Sequence, residues 1–234
     1  PRSTPLYSSA ASDVYKRQFC DRNAAAGNQN ECTLHAAIQQ ANVLAATAAE
    51  PTMIIFDTEI EAISSTIDLP LIVAPVDING TNAANAGSGG RVDFNGADRG
   101  CFEFAHGAGG SRINNLVIRN CRADGISLSG HGYRVSNNRI GTNPGGTGSS
   151  ATNDANGNRG ISVVGSATPP SLPNISALIS NPPANFGAIA AFSSSLQTAL
   201  TVIASPTTIS GNLISGNVNE GIELFAPQTV NVFV

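Results

Sequence analysis

The sequence predicts an all-β protein in which short parallel strands wind through successive coils, a parallel β-helix. Its main support is a repeat: residues 113–128, INNLVIRNCRADGISL, recur without a gap at 209–224 as ISGNLISGNVNEGIEL. A third, interrupted copy starts 22 residues after the first, at Val135. Each unit holds short runs of strand-forming residues, separated by Gly and Asn, which occur 24 times each. Repetition at such a period is typical of stacked arrays.

Overlaying the copies predicts which residues stack. In a coil array each unit pairs only with its neighbours, so equivalent apolar positions should lie one above another along the interior. A sandwich is expected to show longer strands, and the leucine-rich repeat signature is absent. Residues 101–104 align with 125–128, which predicts Phe102 and Phe104 inward and Cys101 at a strand edge. The other predicted stacks are Ile113, Val135 and Ile209; Ile118, Ile140 and Ile214; Ile126, Ile161 and Ile222; and Leu128, Val163 and Leu224.

Composition limits the function. Apolar residues make up 41% of the 234 residues, which is enough for a core and argues against a disordered chain. Only 12% of residues are charged and the net charge is -4, so there is no basic stripe for phosphates and no nucleic-acid partner is expected. No apolar run approaches the ~20 residues that span a bilayer, so no membrane span is expected.

Both ends indicate a fragment of a longer reading frame. Residues 1–18 match nothing that follows, and their segment SSAASDVYKRQ resembles an adapter-derived end of environmental sequence fragments. We therefore expect a non-native or disordered end, with a genuine flexible terminus as the alternative. The chain shows no initiator Met and no signal peptide. Residues 230–234, VNVFV, alternate like a strand and stop without a turn, which predicts truncation there.

An amphipathic helix is expected near the start of the native sequence. Apolar residues within 34–48 follow helical spacing, Thr33 suits the N-cap, and Pro51 closes the segment. We expect residues 19–57 to form an N-terminal α-helical capping module over the first coil, whose open strand edges would otherwise invite aggregation. Residues 58–234 would then form the β-helix.

Several N-terminal motifs resemble a known family. They are Cys20-Asp21, then Cys32-Thr33-Leu34-His35-Ala36-Ala37-Ile38 with Ala41-Asn42, then Ile54-Ile55-Phe56-Asp57. Together they are similar to the N-terminal domain of bacterial secreted or surface proteins that carry a Cys-Ser-Leu-Arg-Glu-Ala motif. The resemblance covers about residues 19–80 by motif. It implies a secreted or cell-surface protein that continues as a right-handed parallel β-helix, a pectate-lyase-like solenoid.

Two positions depart from the family motif. His35 stands where the family has Arg, and Ala36 stands where it has Glu. A Glu at this place would close a capping box, so Ala36 forfeits one reciprocal hydrogen bond and weakens the helix by ~1 kcal/mol. The helix should nevertheless form.

The cysteines suggest disulfides. The family resemblance implies a bond between Cys20 and Cys32 across their Gly- and Asn-rich loop, worth ~2–3 kcal/mol, with two reduced thiols as the alternative. Zinc is disfavoured because no second pair lies at ligand spacing. Cys101 and Cys121 lie about one coil apart but four positions out of register, and they are a candidate second pair.

Other elements follow from local signals. Strands are predicted at 53–56, as a buried run, and at 66–69 and 76–80. Two insertions break the repeat: residues 142–158 predict an exposed polar loop, and residues 166–206 predict a degenerate coil with a longer loop.

Asparagines mark the turns between strands. Asn120, Asn143 and Asn217 fall near predicted turns, where Asn tolerates left-handed backbone. Side-chain amides stacked at such positions can hydrogen-bond from coil to coil.

No motif predicts catalysis. Gly130-His131-Gly132 resembles one motif of polygalacturonase-type glycoside hydrolases, but the Asn-Thr-Asp, Asp-Asp and Arg-Ile-Lys motifs of those enzymes are absent, and Arg139-Ile140-Gly141 is only a partial echo. We interpret His131 as a turn residue. Asp124 and Glu220 share a repeat position and could line up at one edge, although an acidic turn residue before Gly explains both. The sequence therefore predicts no catalytic, cofactor-binding or metal-binding residue, and no cofactor.

The leading hypothesis is a non-catalytic secreted or cell-surface protein, a monomer whose long stacked face serves adhesion or binds an extracellular polysaccharide or cell-surface glycan. It rests on resemblance and fold analogy. The alternative is a polysaccharide lyase or glycoside hydrolase whose catalytic coils lie outside this sequence. A structural spacer without a ligand is a third hypothesis. If there is a site, we expect it in the insertions 142–158 and 166–206.

Overall fold

The structure is a computed structural model that describes residues 33–44, 50–147, 154–165, 206–225 and 232–233. The predicted non-native end, the Cys20 and Cys32 pair and nearly all of the second insertion lie outside these residues. One α-helix, α1 (Leu34–Val43), precedes the strands in the described part of the chain. It is too short to cross a membrane, and no other helix among the described residues has the length and apolar character to do so.

The described strands form three sheets, and every strand pair within them is parallel. The first sheet has the order β1 (Thr52–Ile55), β3 (Val76–Asn79), β6 (Arg112–Asn114), β9 (Arg134–Ser136), β12 (Thr207–Ser210) and β15 (Val232–Phe233). The second has the order β2 (Ala62–Ser64), β4 (Val92–Arg99), β7 (Leu116–Cys121), β10 (Arg139–Ile140) and β13 (Leu213–Ile214). The third has the order β5 (Phe102–Phe104), β8 (Ile126–Ser129), β11 (Ile161–Val164) and β14 (Ile222–Phe225).

The chain visits the three sheets in the same sequence each time, and we call one such passage a coil. The strands β3, β4 and β5, for example, are followed by β6, β7 and β8, each beside its predecessor. In the first coil the third sheet is represented by Ile72 alone, which bridges to Phe104. Three parallel sheets joined in this way are compatible with a β-helix.

The predicted register is confirmed. Ile113 pairs with Val135, and Val135 pairs with Ile209, as the overlay of the repeats requires. The same agreement holds for all the stacks that the sequence predicted across the second and third sheets, and for Phe102 and Phe104. The repeat therefore gave the pairing of strands that are up to 74 residues apart, as between Val135 and Ile209.

Stacked apolar side chains fill the interior. The inward Ile, Leu, Val and Phe residues of the middle coils are at most 2% exposed. Burial of each such side chain away from water stabilises the folded state by about 1.5–3 kcal/mol. Aromatic rings add contacts within and between coils: the ring centroids of Phe94 and Phe102, in one coil, lie 5.0 Å apart, and those of Phe104 and Tyr133, from different coils, lie 5.7 Å apart.

Helix α1 begins as predicted but ends early. The Thr33 hydroxyl accepts a hydrogen bond from the N–H of Ala36 at 3.2 Å, which is the expected N-cap. The helix ends at Val43 and not at residue 48, because Leu44 is extended and its N–H bonds the carbonyl of Ala41. The buried side chains of the helix, which join the apolar core beside the first coil, are Leu34, Ile38 and Ala41.

Two side chains of the helix bond the first coil: His35, whose Nδ1 lies 3.1 Å from the carbonyl oxygen of Asp68, and Asn42. The amide of Asn42 donates to the carbonyl of Leu71 at 2.7 Å and accepts from the N–H of Val73 at 2.9 Å. Asn42 thus takes the place of a neighbouring strand for this stretch of backbone.

Three predictions about local structure are wrong. The strand at 53–56 is not buried throughout, because Ile54 faces the core while Met53 and Ile55 are each 55% exposed. Residues 66–69 form no strand: the Asp68 carboxylate accepts the N–H of Gly100 at 2.7 Å, so a side chain replaces the backbone ladder at this corner. Strand β2 and the bridge at Ile72 stand in its place.

The third wrong prediction concerns the first insertion, residues 142–158. Its described residues are not wholly exposed, because Thr142 and Asn156 are fully buried. Asn156 returns to the coils, where its Oδ1 accepts from the N–H of Cys121 at 3.1 Å and its Nδ2 donates to Asn217 at 2.9 Å. The polar composition that indicated a loop includes residues that satisfy buried backbone groups.

Asparagine amides bond between coils, as expected, although not all at the predicted residues. Asn120 is left-handed, with φ 53°, and its amide donates to Asn95 at 3.0 Å. Asn143 and Asn217 are not left-handed, whereas Asn115 and Asn137 are. The other amide pairs between coils in the described residues are Asn115 with Asn79, Asn138 with Asn212, Asn156 with Asn217, and Asn158 with Asn219.

Candidate binding face

The outward side of the first sheet carries two rows of polar side chains. Strand residues alternate between faces, so each strand places its Ile or Val inward and its two flanking residues outward. The measured register aligns these flanking residues across four coils. We call the set the first-sheet face; its rows are Asp77, Arg112, Arg134 and Thr208, and Asn79, Asn114, Ser136 and Ser210.

The two ends of the first-sheet face differ in their pairing. At the earlier strands, the Asp77 carboxylate accepts from Arg112 at 3.3 Å and from Asn114 at 3.2 Å. At the later strands, an open depression of about 330 Å³ is lined by Arg134, Ser136, Thr208 and Ser210. Arg134 is exposed and, among the described residues, has no carboxylate partner.

The depression offers hydrogen-bonding groups at regular intervals. One guanidinium and three hydroxyls, all on neighbouring strands, face the same opening. Parallel strands lie about 4.8 Å apart, so donors and acceptors recur at that interval along the sheet. Such a surface can bind an extended polar polymer by repeated contacts.

The outward face of the second sheet is covered in contrast. Val117 and Asp93 point outward, yet they are 0% and 6% exposed. Asp93 holds Arg119 with two hydrogen bonds of 2.9 Å, and Asp154 of the first insertion adds a third at 3.0 Å. The bond to Asp93 is the main cause that raises the pKa of Arg119. Asp93 is therefore a structural anion, which excludes it as a free catalytic base.

Asp124 and Glu220 come together, as their shared repeat position suggested. Arg159 lies between them: its Nη1 is 3.7 Å from Asp124, its Nε is 3.4 Å from Glu220, and it also contacts Glu223. The guanidinium further lies 4.8 Å from the ring centroid of Phe225. These carboxylates thus share a cation, and no group of three or more possible metal ligands occurs within the described ranges.

His131 is a turn residue, as interpreted from the sequence. It lies between Gly130 and Gly132, whose φ angles are 109° and 81°. Its Nδ1 is buried without a hydrogen-bond partner, and burial, followed by the nearby charge of His106, lowers its pKa. Arg139 belongs to the second sheet, away from this turn, so the partial hydrolase motifs are not assembled into one site.

One candidate cysteine pair lies in the described residues. The sulfurs of Cys101 and Cys121 are 1.96 Å apart, at bonding distance. The corner from Arg99 to Phe102 is shorter than the equivalent corner after Cys121, and Arg99 pairs with Cys121 after a register shift within β4. This shift of two residues removes half of the four-position offset that the sequence showed.

From the sequence we expected a site, if there is one, in the insertions, and we did not single out the first-sheet face. A usable signal was present, since Arg112-Ile113-Asn114 and Arg134-Val135-Ser136 both place an arginine and a second polar residue around an inward one. The second insertion, residues 166–206, lies almost entirely outside the described residues. Comparison with known proteins adds no relative, because no protein-family model, no curated protein and no solved structure matches this chain.

Proposed function

We propose that the three sheets form a right-handed parallel β-helix and that the protein is a non-catalytic secreted or cell-surface protein that binds an extended polysaccharide along the first-sheet face. The observation that carries this proposal is the open depression lined by Arg134, Ser136, Thr208 and Ser210. The N-terminal resemblance to bacterial surface proteins supports the location.

Two features favour binding over catalysis. The polar groups of the face are donors and acceptors for sugar hydroxyls, and they recur along the sheet as the repeating units of a polymer do. The carboxylates that the structure holds near one another share an arginine: Asp124, Glu220 and Glu223 share Arg159, and Asp93 and Asp154 share Arg119. The lyase or hydrolase alternative therefore has no supporting cluster in the described residues.

The test is binding to a panel of immobilised neutral and acidic polysaccharides, with affinities measured for the ones retained. Arg134→Gln and Thr208→Ala should each weaken binding, Arg134→Gln by about tenfold, since a charge-assisted hydrogen bond is worth about 1.5–3 kcal/mol. Arg122→Gln is the matched control, because Arg122 is an exposed arginine outside the face, paired with Asp68 at 3.1 Å.

Two outcomes would contradict the proposal. If no polysaccharide in the panel is retained, the spacer hypothesis is supported in its place. If Arg122→Gln weakens binding as much as Arg134→Gln does, the contribution is general charge and not the first-sheet face.

A further inference from the structure

Two arginines from different coils converge over the second sheet. Arg91 lies just before β4, and Arg139 points outward from β10. A Cβ atom added to Gly89 would lie 2.9 Å from Nη2 of Arg139 and 3.2 Å from Nη1 of Arg91. Gly89 has φ +65° and no side chain, so the space above it is left to the two guanidinium groups.

Backbone carbonyls hold both guanidinium groups in place. Arg91 donates from Nε to the carbonyl of Asn137 at 2.7 Å and from Nη1 to that of Gly89 at 3.0 Å. Arg139 donates from Nη1 to the carbonyls of Ser88, at 3.0 Å, and Pro144. The two side chains are therefore positioned by carbonyls from two coils: those of Ser88 and Gly89 in the earlier coil, and those of Asn137 and Pro144 in the later one.

These hydrogen bonds leave several N–H groups of Arg91 and Arg139 without an acceptor among the described residues. A guanidinium carries five N–H groups, and within the described residues Nη2 of both arginines and Nε of Arg139 have no acceptor. Both side chains are half-buried, so these donors are oriented and still reach solvent. Fixed, parallel donors are what planar or tetrahedral oxyanions require.

The electrostatics of this pair differ from those of the protein's other fixed arginines. Arg112, Arg119 and Arg159 each have a carboxylate partner. Arg91 and Arg139 have none in the part of the chain that the structure describes. Burial, and then the positive charge of Arg139, lower the pKa of Arg91. A bound anion would relieve this repulsion and take up the unused donors.

We propose that Arg91 and Arg139 form an oxyanion-binding site that takes a sulfate or carboxylate group, either as a free anion or as the substituent of an acidic glycan. This site lies over the second sheet and does not depend on the first-sheet face.

The experiment is titration calorimetry of the folded chain at constant ionic strength, adjusted with chloride. The probes are inorganic sulfate, glucuronate and, as the neutral analogue, glucose. Sulfate and glucuronate should bind saturably, and glucose should not. Arg91→Gln should weaken sulfate binding by about tenfold or more, because it removes one charged donor set. Arg91→Lys keeps the charge without the planar fork and should give an intermediate loss.

Arg122→Gln is the matched control, since it removes the same charge from an exposed arginine outside both proposed sites, and it should leave sulfate affinity within about twofold. Sulfate also stabilises proteins because it is excluded from their surface, and this effect does not saturate with concentration. Only a heat signal that saturates during the titration is therefore taken as binding. If Arg91→Gln does not fold, Arg91→Lys decides by the same comparison.

Three results would overturn this proposal: no saturable binding of either anion, equal losses in the Arg91→Gln and Arg122→Gln variants, or Arg91→Lys indistinguishable from the unmodified chain. Failure of polysaccharide binding at the first-sheet face would not affect it. An anion site that survives Arg134→Gln, while neutral polysaccharide binding is lost, would separate the two proposals. Binding of sulfate without glucuronate would identify a sulfate ester or free sulfate as the source, and the reverse would identify a uronic acid.

Discussion

Removing the amide of Asn138 should cost this protein a large part of its stability. Asn138 is 1% exposed and lies at the corner between β9 and β10. Its Oδ1 accepts from the N–H of Leu116 at 3.0 Å, and its Nδ2 donates to the carbonyl of Ile113 at 3.0 Å. In Asn138→Ala the buried N–H of Leu116 loses its partner, and the buried carbonyl of Ile113 loses the amide donor. The orphaned N–H costs about 1–3 kcal/mol and the lost bond to the carbonyl about 0.5–1.5 kcal/mol, so the loss is about 1.5–4.5 kcal/mol, against typical domain stabilities of about 5–15 kcal/mol.

The assay is urea unfolding followed by far-ultraviolet circular dichroism, which gives the free energy of unfolding from midpoint and slope. Asn219→Ala is the control, because Asn219 is exposed and its side chain bonds only the side chain of Asn158 among the described residues, while its backbone hydrogen bond does not depend on the side chain. We expect it to lose less than about 1 kcal/mol. If Asn138→Ala loses no more than this control, the reasoning about orphaned backbone groups is refuted.

Two further predictions concern the third-sheet side of the coils. Replacing Cys101 and Cys121 together by Ala should lower the free energy of unfolding by about 3 kcal/mol, since the bond closes a loop with a sequence separation of 20; a urea midpoint equal to that of the unmodified chain would contradict it. His131 has a pKa below its ordinary 6.5, so the folded protein binds this proton less tightly than the unfolded chain does, and stability should fall as the pH drops below about 6.5. His131→Asn should flatten this dependence in thermal unfolding measured from pH 8 to pH 5, and an unchanged slope would show that another group is responsible.

Much of the strand pairing follows from the sequence, for a local reason. Equivalent positions of a repeat pair with each other, so overlaying the copies gives the register of Ile113 with Val135 and Ile209 without any long-range information. The same logic placed Phe102 and Phe104 inward, and the Thr33 cap needed only its own neighbours. These inferences depend on backbone periodicity, which a sequence shows directly.

The corners are different, because the repeat does not constrain their length. At the register shift of β4, Ala97 and Asp98 adopt the left-handed backbone conformation. Alanine disfavours this conformation, and no sequence motif predicts it here. That shift brings Cys101 to Cys121. The predicted strand at 66–69 failed for the same reason, since Asp68 bonds a corner of the next coil.

By itself, the sequence determined the repeat, the inward residues, the strand register and the absence of the hydrolase motifs. Only the tertiary structure decided which side chains meet across coils: Arg159 with Asp124, the amide of Asn138 with its neighbours, and Arg91 with Arg139. The physical reason is that stacked coils bring together residues that are far apart in the sequence. The loops between the strands differ in length, and their lengths decide which of these residues meet. Periodicity fixes the scaffold, while the charges and amides that could bind a ligand are brought together by these loops.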